Sequence, residues 1–210
     1  MEQFTLDQAR SWIQAAALAM ERNATMLSDL DGPIGDGDHG FNMARGFTAI
    51  RNKLESTAVS DLGALFKLVG MTLLSTVGGA AGPLYGGFFL ELGRCTAGKT
   101  TIGKAELGET LTRGLADIQR RGKAELGDKT MVDAMAPAFE KLRSAPNGDI
   151  GTALQSMEEA AKTAAEATSP MLARKGRASY LGERSIGHQD PGATSSWLLL
   201  QALASACKAS

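Results

Sequence analysis

Hydrophobic residues recur at every third or fourth position through most of this sequence, and this periodicity restricts the fold more than any other feature. Such a spacing places apolar side chains along one face of an α-helix. No stretch shows the apolar and polar alternation typical of a half-buried strand, and β-branched residues are sparse beside alanine and leucine. Glycine-rich stretches separate the periodic segments. The pattern predicts an all-α protein with eight helices.

Capping residues predict where these helices begin. Thr5 is followed by Gln8, a capping box that opens a first helix ending before Asp31. Thr130 and Asp133 form a similar pair before the sixth helix. The last helix is apolar nearly all round, which predicts a central position in the fold. The other helices are expected to start after Asp38, after Asp61, at Leu84, near Leu107, after Asp149 and at Pro191.

Length and charge set the broad class of protein. The 210 residues are expected to form a single domain over positions 1–210. A formal net charge of −1 argues against a general nucleic-acid surface. No apolar run is long enough to span a bilayer, and the N-terminus lacks the pattern of a signal peptide. We therefore expect a cytoplasmic protein, without direct binding to nucleic acid or membrane, in which Cys95 and Cys207 are reduced packing residues.

Three carboxylates lie within eight residues, at Asp31, Asp36 and Asp38. Carboxylates this close repel one another unless a cation lies among them. Oxygen ligands suit Mg²⁺ or Ca²⁺ rather than zinc, and Mg²⁺ held by few carboxylates typically completes its shell with water and substrate phosphates. The cluster therefore predicts a site for a metal and a nucleotide.

The longest segment without helical periodicity covers residues 174–192. Long loops in compact domains are usually functional or disordered. Arg174, Lys175 and Arg177 could bind phosphate, and Asp190 at a helix start could cap that helix or bind a polar ligand group. A solvated basic loop is the alternative, and the residues alone do not separate the two.

Two glycine patterns resemble nucleotide-binding signatures. Residues 35–40 fit the dinucleotide fingerprint, but no strand precedes them and two aspartates would repel a bare pyrophosphate. The run from Gly93 to Thr100 fits the P-loop pattern, so a P-loop ATPase is an alternative function. Against it, Gly103 would fall in the first turn of the required helix, and no strand ending in aspartate follows.

Four longer motifs point to a family. They are the acidic segment at 31–43, TLLSTVGGAAGPL at 72–84, RGKAELGDKTM at 121–131 and RKGRASYLGERSIGHQDPG at 174–192. Together they closely resemble the L subunits of bacterial dihydroxyacetone kinases, in order and over nearly the whole chain. This resemblance implies an up-and-down barrel of eight amphipathic helices with a nucleotide bound at one end.

The resemblance also implies roles for individual residues. Asp31, Asp36 and Asp38 would hold two Mg²⁺ ions that bridge the nucleotide phosphates. Ala81 stands where related chains can place a serine, which removes a hydrogen bond to phosphate worth about 1 kcal/mol. The implied nucleotide-binding residues are His39, Gly40, Phe41, Asn42, Gly79, Ala80, Ala81, Gly122, Met131, Arg177, Asp190, Pro191 and Gly192.

The implied activity is transfer of a phosphoryl group, via Mg-bound ADP or ATP, to a keto sugar held on a separate K subunit. Dihydroxyacetone is the expected substrate, and another keto triose or tetrose stays open. The phosphoryl donor would be either a protein of the phosphotransferase system, acting on retained ADP, or exchanging ATP. The alternative is a non-catalytic nucleotide-binding module that contacts a transcription regulator.

Overall fold

In a computed structural model, which describes residues 2–146 and 149–208, the described chain folds into α-helices with one 3₁₀ segment and a very small sheet. The all-α prediction is confirmed. Across the described residues no helix is both long and apolar enough to cross a membrane. The helices are α1 (Leu6–Arg22), α2 (Ala24–Asp31), α3 (His39–Ser56), α4 (Leu62–Thr76), α5 (Ala81–Cys95), α6 (Lys104–Gly122), α7 (Met131–Ser144), α8 (Ile150–Glu166) and α9 (Pro191–Lys208), with a 3₁₀ segment at Arg177–Ser185.

The long helices form a closed ring. Each of α3 to α8 packs on the next helix along the chain. Helix α9 returns to pack on α1, which also contacts α3. Helices α1 and α2 together take one place in this ring, so the eight predicted helices correspond to the ring as observed. The extra break lies at Asn23, because its backbone N–H and its side-chain amide both donate to the carbonyl oxygen of Ala19, at 3.1 and 2.8 Å.

Most predicted helix starts are confirmed. Thr5 and Gln8 form the expected capping box, as do Thr130 and Asp133. Asp61 accepts a hydrogen bond from the N–H of Ala64, and Asp149 accepts one from Thr152. The predicted start at Leu84 was wrong: α5 begins at Ala81, and its first turn takes in Gly82 and Pro83, which the prediction placed in the glycine-rich stretch before the helix.

Two three-residue strands were not predicted. Strand β1 (Gln3–Thr5) pairs antiparallel with β2 (Thr101–Gly103), so that Phe4 lies opposite Ile102 and both side chains are buried. Three residues are too short for a recognisable alternation. The pair closes the ring at the end where α1, α4 and α6 begin.

Aromatic rings fill the centre of the ring of helices. The ring centroid of Trp12 lies 5.8 Å from that of Phe66 and 5.6 Å from that of Phe89, and the indole N–H donates to the carbonyl oxygen of Leu199 at 2.9 Å. Such pairs add about 0.5–1.5 kcal/mol each beyond the area they bury. Most of α9 is buried, as its all-round apolar sequence predicts.

Helices α4 and α5 pack with their backbones close together. An ideal Cβ on Gly70 would lie 2.8 Å from the carbonyl oxygen of Gly86, and one on Gly86 would lie 2.7 Å from the Cγ atom of Leu74. Larger side chains would force the helices apart. This contact fixes the start of α5 relative to the end of α4, where part of the site described next is formed.

Candidate metal and nucleotide site

One end of the ring holds a cavity of about 350 Å³. Because neighbouring helices alternate in direction, α3, α5, α7 and α9 all begin at this end, and α2, α4 and α6 end there. The N-terminus of a helix carries unpaired N–H groups and a partial positive charge. Two of these four starts, those of α3 and α5, have no side-chain cap, and this arrangement favours an anionic ligand.

The three predicted aspartates meet at the wall of this cavity. Asp31 ends α2, Asp36 lies in the following loop, and Asp38 precedes α3. One oxygen from each carboxylate lies within 4.8 Å of the others. Asp31 is buried, and its Oδ2 atom accepts hydrogen bonds from the N–H groups of Asp38 and His39, at 3.1 and 3.3 Å. A donor set made only of carboxylate oxygens could hold a hard divalent cation such as Mg²⁺.

Asp31 also explains why Asp38 does not cap α3. The side chain of Asp38 makes no capping hydrogen bond, and the Oδ2 atom of Asp31 satisfies the first N–H groups instead. The carboxylate of Asp38 is exposed at the cavity. The predicted helix start is confirmed, but the side chain that was expected to cap it remains available to a ligand.

The first turn of α5 faces the same cavity. Residues 78–81 line it, and the N-cap residue, Ala80, has no side chain that could bond the N–H groups of the helix. Gly79 has φ of +64°, a left-handed conformation that favours glycine. Beside it, Asn42 accepts a 2.6 Å hydrogen bond from Arg45. Free N–H groups at this position could bind phosphate oxygens.

The 3₁₀ segment and the residues just before it contribute positive charge. Lys175 and Arg177 line the cavity, and the guanidinium of Arg177 forms an ion pair with Asp36. Ala178 packs with Ile34, from the acidic loop, in a small buried apolar cluster. The segment therefore lies on the acidic loop, in contrast to a basic loop that is solvated on all sides.

A hydrogen-bonded network that the sequence did not predict lies beneath the acidic cluster. The Nε2 atom of His39 lies 2.8 Å from the hydroxyl oxygen of Ser195, which lies 2.8 Å from the phenol oxygen of Tyr85. The phenol also contacts Ser196 at 2.8 Å. Burial lowers the pKa of His39 and raises that of Tyr85 to about 12. Both groups are therefore held neutral near pH 7.

Asp190 and Lys129 are both buried at the cavity, and the charge of each affects the pKa of the other. Asp190 accepts a 2.7 Å hydrogen bond from the N–H of Ala193 and so caps α9. Burial raises its pKa to about 7, although that hydrogen bond and the charge of Lys129 act in the opposite direction. Burial also lowers the pKa of Lys129. Sequence reasoning missed Lys129, because a lysine in a short loop gives no sign that it is buried.

The side of the cavity away from the aspartates is largely apolar. Such a wall suits the flat face of a nucleotide base. Gly122 and Met131, which were predicted to contact the nucleotide, lie on this side. Its other lining residues include Leu84, Ile118, Ala124 and Val132.

Nearly all predicted site residues line the cavity, and the exceptions are Arg174, Gly40 and Phe41. Gly40 is buried where α3 crosses α2, and an ideal Cβ there would lie 1.9 Å from the carbonyl oxygen of Ala24. Phe41 is 55% exposed, and its N–H donates to the hydroxyl of Ser28. The predicted residues on the cavity wall are Asp31, Asp36, Asp38, His39, Asn42, Gly79, Ala80, Ala81, Gly122, Met131, Arg177, Asp190, Pro191 and Gly192.

The P-loop alternative was wrong. Gly93 lies inside the last turns of α5, so the pattern follows a helix and runs into β2 instead of opening a helix. Lys99 forms an ion pair with Glu106, and its carbonyl oxygen accepts from the N–H of Leu62 at the start of α4. This segment lies at the opposite end of the ring from the acidic cluster.

An all-α ring with an oxygen-only carboxylate cluster beside an uncapped helix N-terminus could hold a metal ion together with phosphates. Residues 33–205 match the DAK2 domain. The chain therefore belongs to the DAK2 domain family, as its motifs predicted.

Relatives of similar length strengthen this assignment. The chain is 46% identical over 200 residues to the ADP-binding subunit DhaL of the PEP-dependent dihydroxyacetone kinase of Escherichia coli, covering 94% of this chain and 95% of the relative. It is 45% identical over 199 residues to the ADP-binding subunit DhaL of the PTS-dependent dihydroxyacetone kinase of Lactococcus lactis, covering 95% and 96%.

A solved structure shows the same fold. The dihydroxyacetone kinase of C. freundii, in complex with AMP-PNP and Mg²⁺, superposes with a TM-score of 0.71 at 29% identity over 95% of this chain. This chain spans about a third of that protein's length, 33%.

Proposed function

We propose that this protein is the nucleotide-binding subunit of a dihydroxyacetone kinase. The observation that carries the proposal is the position of the Asp31, Asp36 and Asp38 cluster at the same cavity as the uncapped first turn of α5. This arrangement offers carboxylates that could hold a metal and helix N–H groups that could hold the phosphates of a nucleotide. The names of the relatives, which are ADP-binding subunits of such kinases, support the same activity.

We propose two Mg²⁺ ions as cofactors. Three carboxylates supply six oxygens, and the Oδ2 atom of Asp31 accepts hydrogen bonds from the N–H groups of Asp38 and His39. The donor set fits hard cations, because it contains oxygen alone. When bound, such ions would offset the charge of the β- and γ-phosphates. The ligands would be Asp31, Asp36 and Asp38.

The chain's own residues would orient the nucleotide along the cavity. The phosphates would lie between the acidic cluster and residues 79–81, which line the cavity at the start of a helix without a side-chain cap. The base would lie on the apolar side, near Gly122 and Met131. Arg177, once released from Asp36, would be a cation for the phosphates, and His39 would be held by Ser195 at the same wall.

The acceptor would come from a separate protein. We propose a K subunit that holds dihydroxyacetone, with the nucleotide-bound phosphoryl group transferred across the mouth of the cavity. The PEP-dependent and PTS-dependent relatives favour retained ADP that a phosphotransferase-system protein rephosphorylates, rather than exchanging ATP. A cytoplasmic location and a single domain over residues 1–210 remain predictions that accompany this function.

Transfer in a reconstituted system tests the proposal. Mass spectrometry of the purified protein should find ADP bound in the presence of Mg²⁺. With a K subunit, dihydroxyacetone and a phosphoryl donor, phosphorus NMR should show dihydroxyacetone phosphate, and omission of this chain should abolish the signal. Binding of Mg·ADP without any transfer would instead support the non-catalytic module that contacts a transcription regulator. Absence of both would refute a nucleotide role.

A further inference from the structure

Lys129 is a buried cation with an unusual set of partners. Its residue surface is 1% exposed. Its ammonium donates to the carbonyl oxygens of Ser185, Met171 and Ser169, at 2.6, 3.0 and 3.2 Å. Among the described residues no carboxylate lies within ion-pair distance of it. Three carbonyls use all three donors of an ammonium group, so the side chain of Lys129 is held by the backbone of another segment.

The backbone of Lys129 is also held in an uncommon conformation. Its φ of +61° lies in the left-handed region, which a residue with a Cβ rarely adopts. The buried cation and the strained backbone are both costly, so both persist only where surrounding contacts determine them. Because Lys129 lies at the wall of the cavity, we infer that these unfavourable contributions are retained for a role in the site.

The three carbonyls belong to the two sides of one long connection, residues 168–190, which joins α8 to α9 and carries Lys175 and Arg177. Ser169 and Met171 lie where the chain leaves α8, and Ser185 lies where the 3₁₀ segment ends. Lys129 therefore donates hydrogen bonds to both ends of this connection, and we call these two adjacent ends, residues 168–174 and 185–190, its neck. Four other hydrogen bonds join the same neck or attach it to the loop before α7: Gly187 N to Ser169 O at 2.9 Å, Asp190 N to Thr168 Oγ1 at 2.9 Å, Ala173 N to Ser185 Oγ at 3.0 Å, and Arg174 N to Asp128 O at 3.0 Å.

We propose that Lys129 is a positioning residue of the nucleotide site, which clamps the neck of the 168–190 connection so that Arg177 and Asp190 stay at the cavity. The clamp acts through backbone carbonyls and does not require contact between Lys129 and the nucleotide. This role rests on the proposed function, in which Arg177 and the start of α9 complete the pocket. Without the ammonium, three buried carbonyls lose their donor, and the connection opens more often.

Lys129→Met tests the clamp, because it keeps much of the length and apolar volume of the side chain and removes the ammonium. Lys129→Arg keeps the charge but carries a planar group, so it should restore part of the effect. Lys123→Met is the matched control. Lys123 lies in the same loop and also has positive φ, +49°, but its side chain is exposed.

Two measurements report on the connection. Trypsin can cut after Arg174, Lys175, Arg177 and Arg184, and mass spectrometry of the fragments assigns each cut. In Lys129→Met these cuts should become at least about tenfold faster, with cuts in α1 unchanged. Release of Mg·ADP, followed by stopped flow, should also become at least about tenfold faster. Lys129→Arg should lie between, and Lys123→Met should match the wild type.

Several outcomes would overturn the proposal. Cleavage that rises equally in α1 and in the 168–190 connection would mean that Lys129 only stabilises the whole fold. Unchanged ADP release with faster cleavage would mean that the clamp does not serve the site. A wild-type protein that does not bind Mg·ADP would refute the proposed function, whereas the cleavage arm would still decide whether Lys129 holds the connection.

A measurement on the wild type covers the case in which Lys129→Met does not fold. An ammonium bonded to three buried carbonyls exchanges its protons slowly with water, so NMR of protein labelled with ¹⁵N-lysine should show one persistent ammonium signal near neutral pH. That signal should disappear in Lys129→Arg. Absence of a persistent signal in the wild type would refute the clamp.

Discussion

The two ends of the ring differ at the starts of their helices. At the end closed by β1 and β2, Thr5 with Gln8 caps α1, and Asp61 caps α4. At the cavity end, neither Asp38 before α3 nor Ala80 before α5 makes a side-chain capping bond. Capping alone does not separate the ends, because α6 at the closed end lacks a side-chain cap and α7 and α9 at the cavity end have one. The difference is that the two uncapped starts at the cavity end lie beside a cluster of three aspartates.

The difference also appears in the acidic residues. The Asp61 carboxylate accepts hydrogen bonds from the N–H groups of Ala64 and Gly98, which lower its pKa, so its charge is used inside the protein. Asp36 and Asp38 are exposed, and Asp36 forms an ion pair with the partly exposed side chain of Arg177. Asp61 is thus structural, whereas Asp36 and Asp38 are available to a ligand.

The largest expected effect comes from the open end. Asp36→Asn or Asp38→Asn should weaken Mg-dependent ADP binding by more than about a thousandfold, about 4 kcal/mol, because a metal ligand is lost. Helical content by circular dichroism should stay near the wild type. Calorimetry with Mg²⁺ and ADP measures the affinity.

Asp61→Asn is the control for this pair. It removes the same charge, and asparagine still caps a helix well, so both ADP affinity and stability should remain close to the wild type. ADP affinity that survives in Asp36→Asn and Asp38→Asn would show that the two ends do not differ in function.

The second prediction concerns Asp190, which caps α9 from a buried position at the open end. Its pKa is raised to about 7 in the folded state, against about 3.9 in the unfolded chain. Between these values the folded state binds more protons, so the free energy of unfolding contributed by this group falls as pH rises from about 4 to about 7. The decrease should amount to about 3 kcal/mol.

Asp190→Asn should remove this slope and still cap α9. Urea unfolding of both proteins across that pH range gives the difference, in which the titration of His39 largely cancels. Parallel curves for the two proteins would show that Asp190 is already ionised in the folded state throughout the range.

The third prediction tests the contact that fixes the start of α3. Gly40→Ala would place a Cβ 1.9 Å from the carbonyl oxygen of Ala24, and backbone cannot rotate away as a side chain can. The free energy of unfolding should fall by about 1–3 kcal/mol. Because α2 ends in Asp31, the shift should also weaken metal binding.

Gly108→Ala in α6 is its counterpart toward the closed end. There the new Cβ would lie 3.1 Å from the Cγ atom of Arg143, a flexible side chain, and alanine favours a helix by about 1 kcal/mol over glycine. Chemical denaturation should show no loss of stability. An equal loss in both variants would mean that the close contact at Gly40 is not special.

Local signals explain what the sequence could predict. The capping pairs at Thr5 and Thr130, and the aspartate cluster, depend on residues fewer than ten positions apart, so their spacing determines their geometry. The resemblance supplied the barrel and most of the cavity wall. It also placed Gly40 and Phe41 among the nucleotide-binding residues, although neither lines the cavity.

Long-range packing explains what was missed. Tyr85 meets Ser195 across 110 positions, and Lys129 meets Ser185 across 56. No periodicity marks such partners, because each depends on how the ring closes. The start of α5 at Ala81 was also missed. Glycine disfavours a helix, and the sequence does not show that the glycines of α5 allow close packing on α4.

The smallest expected effect lies at the closed end, at Lys99. A P-loop would need this lysine on the phosphates, but it forms an ion pair with Glu106, and both side chains are partly exposed, 47% and 36%. Such pairs contribute less than about 1 kcal/mol, so Lys99→Met should keep phosphoryl transfer within about twofold and change stability little. The reconstituted transfer assay measures the rate, with Lys99→Arg as the variant that keeps the ion pair. A hundredfold loss in Lys99→Met, about 2.7 kcal/mol of transition-state stabilisation, would move the phosphate site to the closed end and reverse the roles of the two ends.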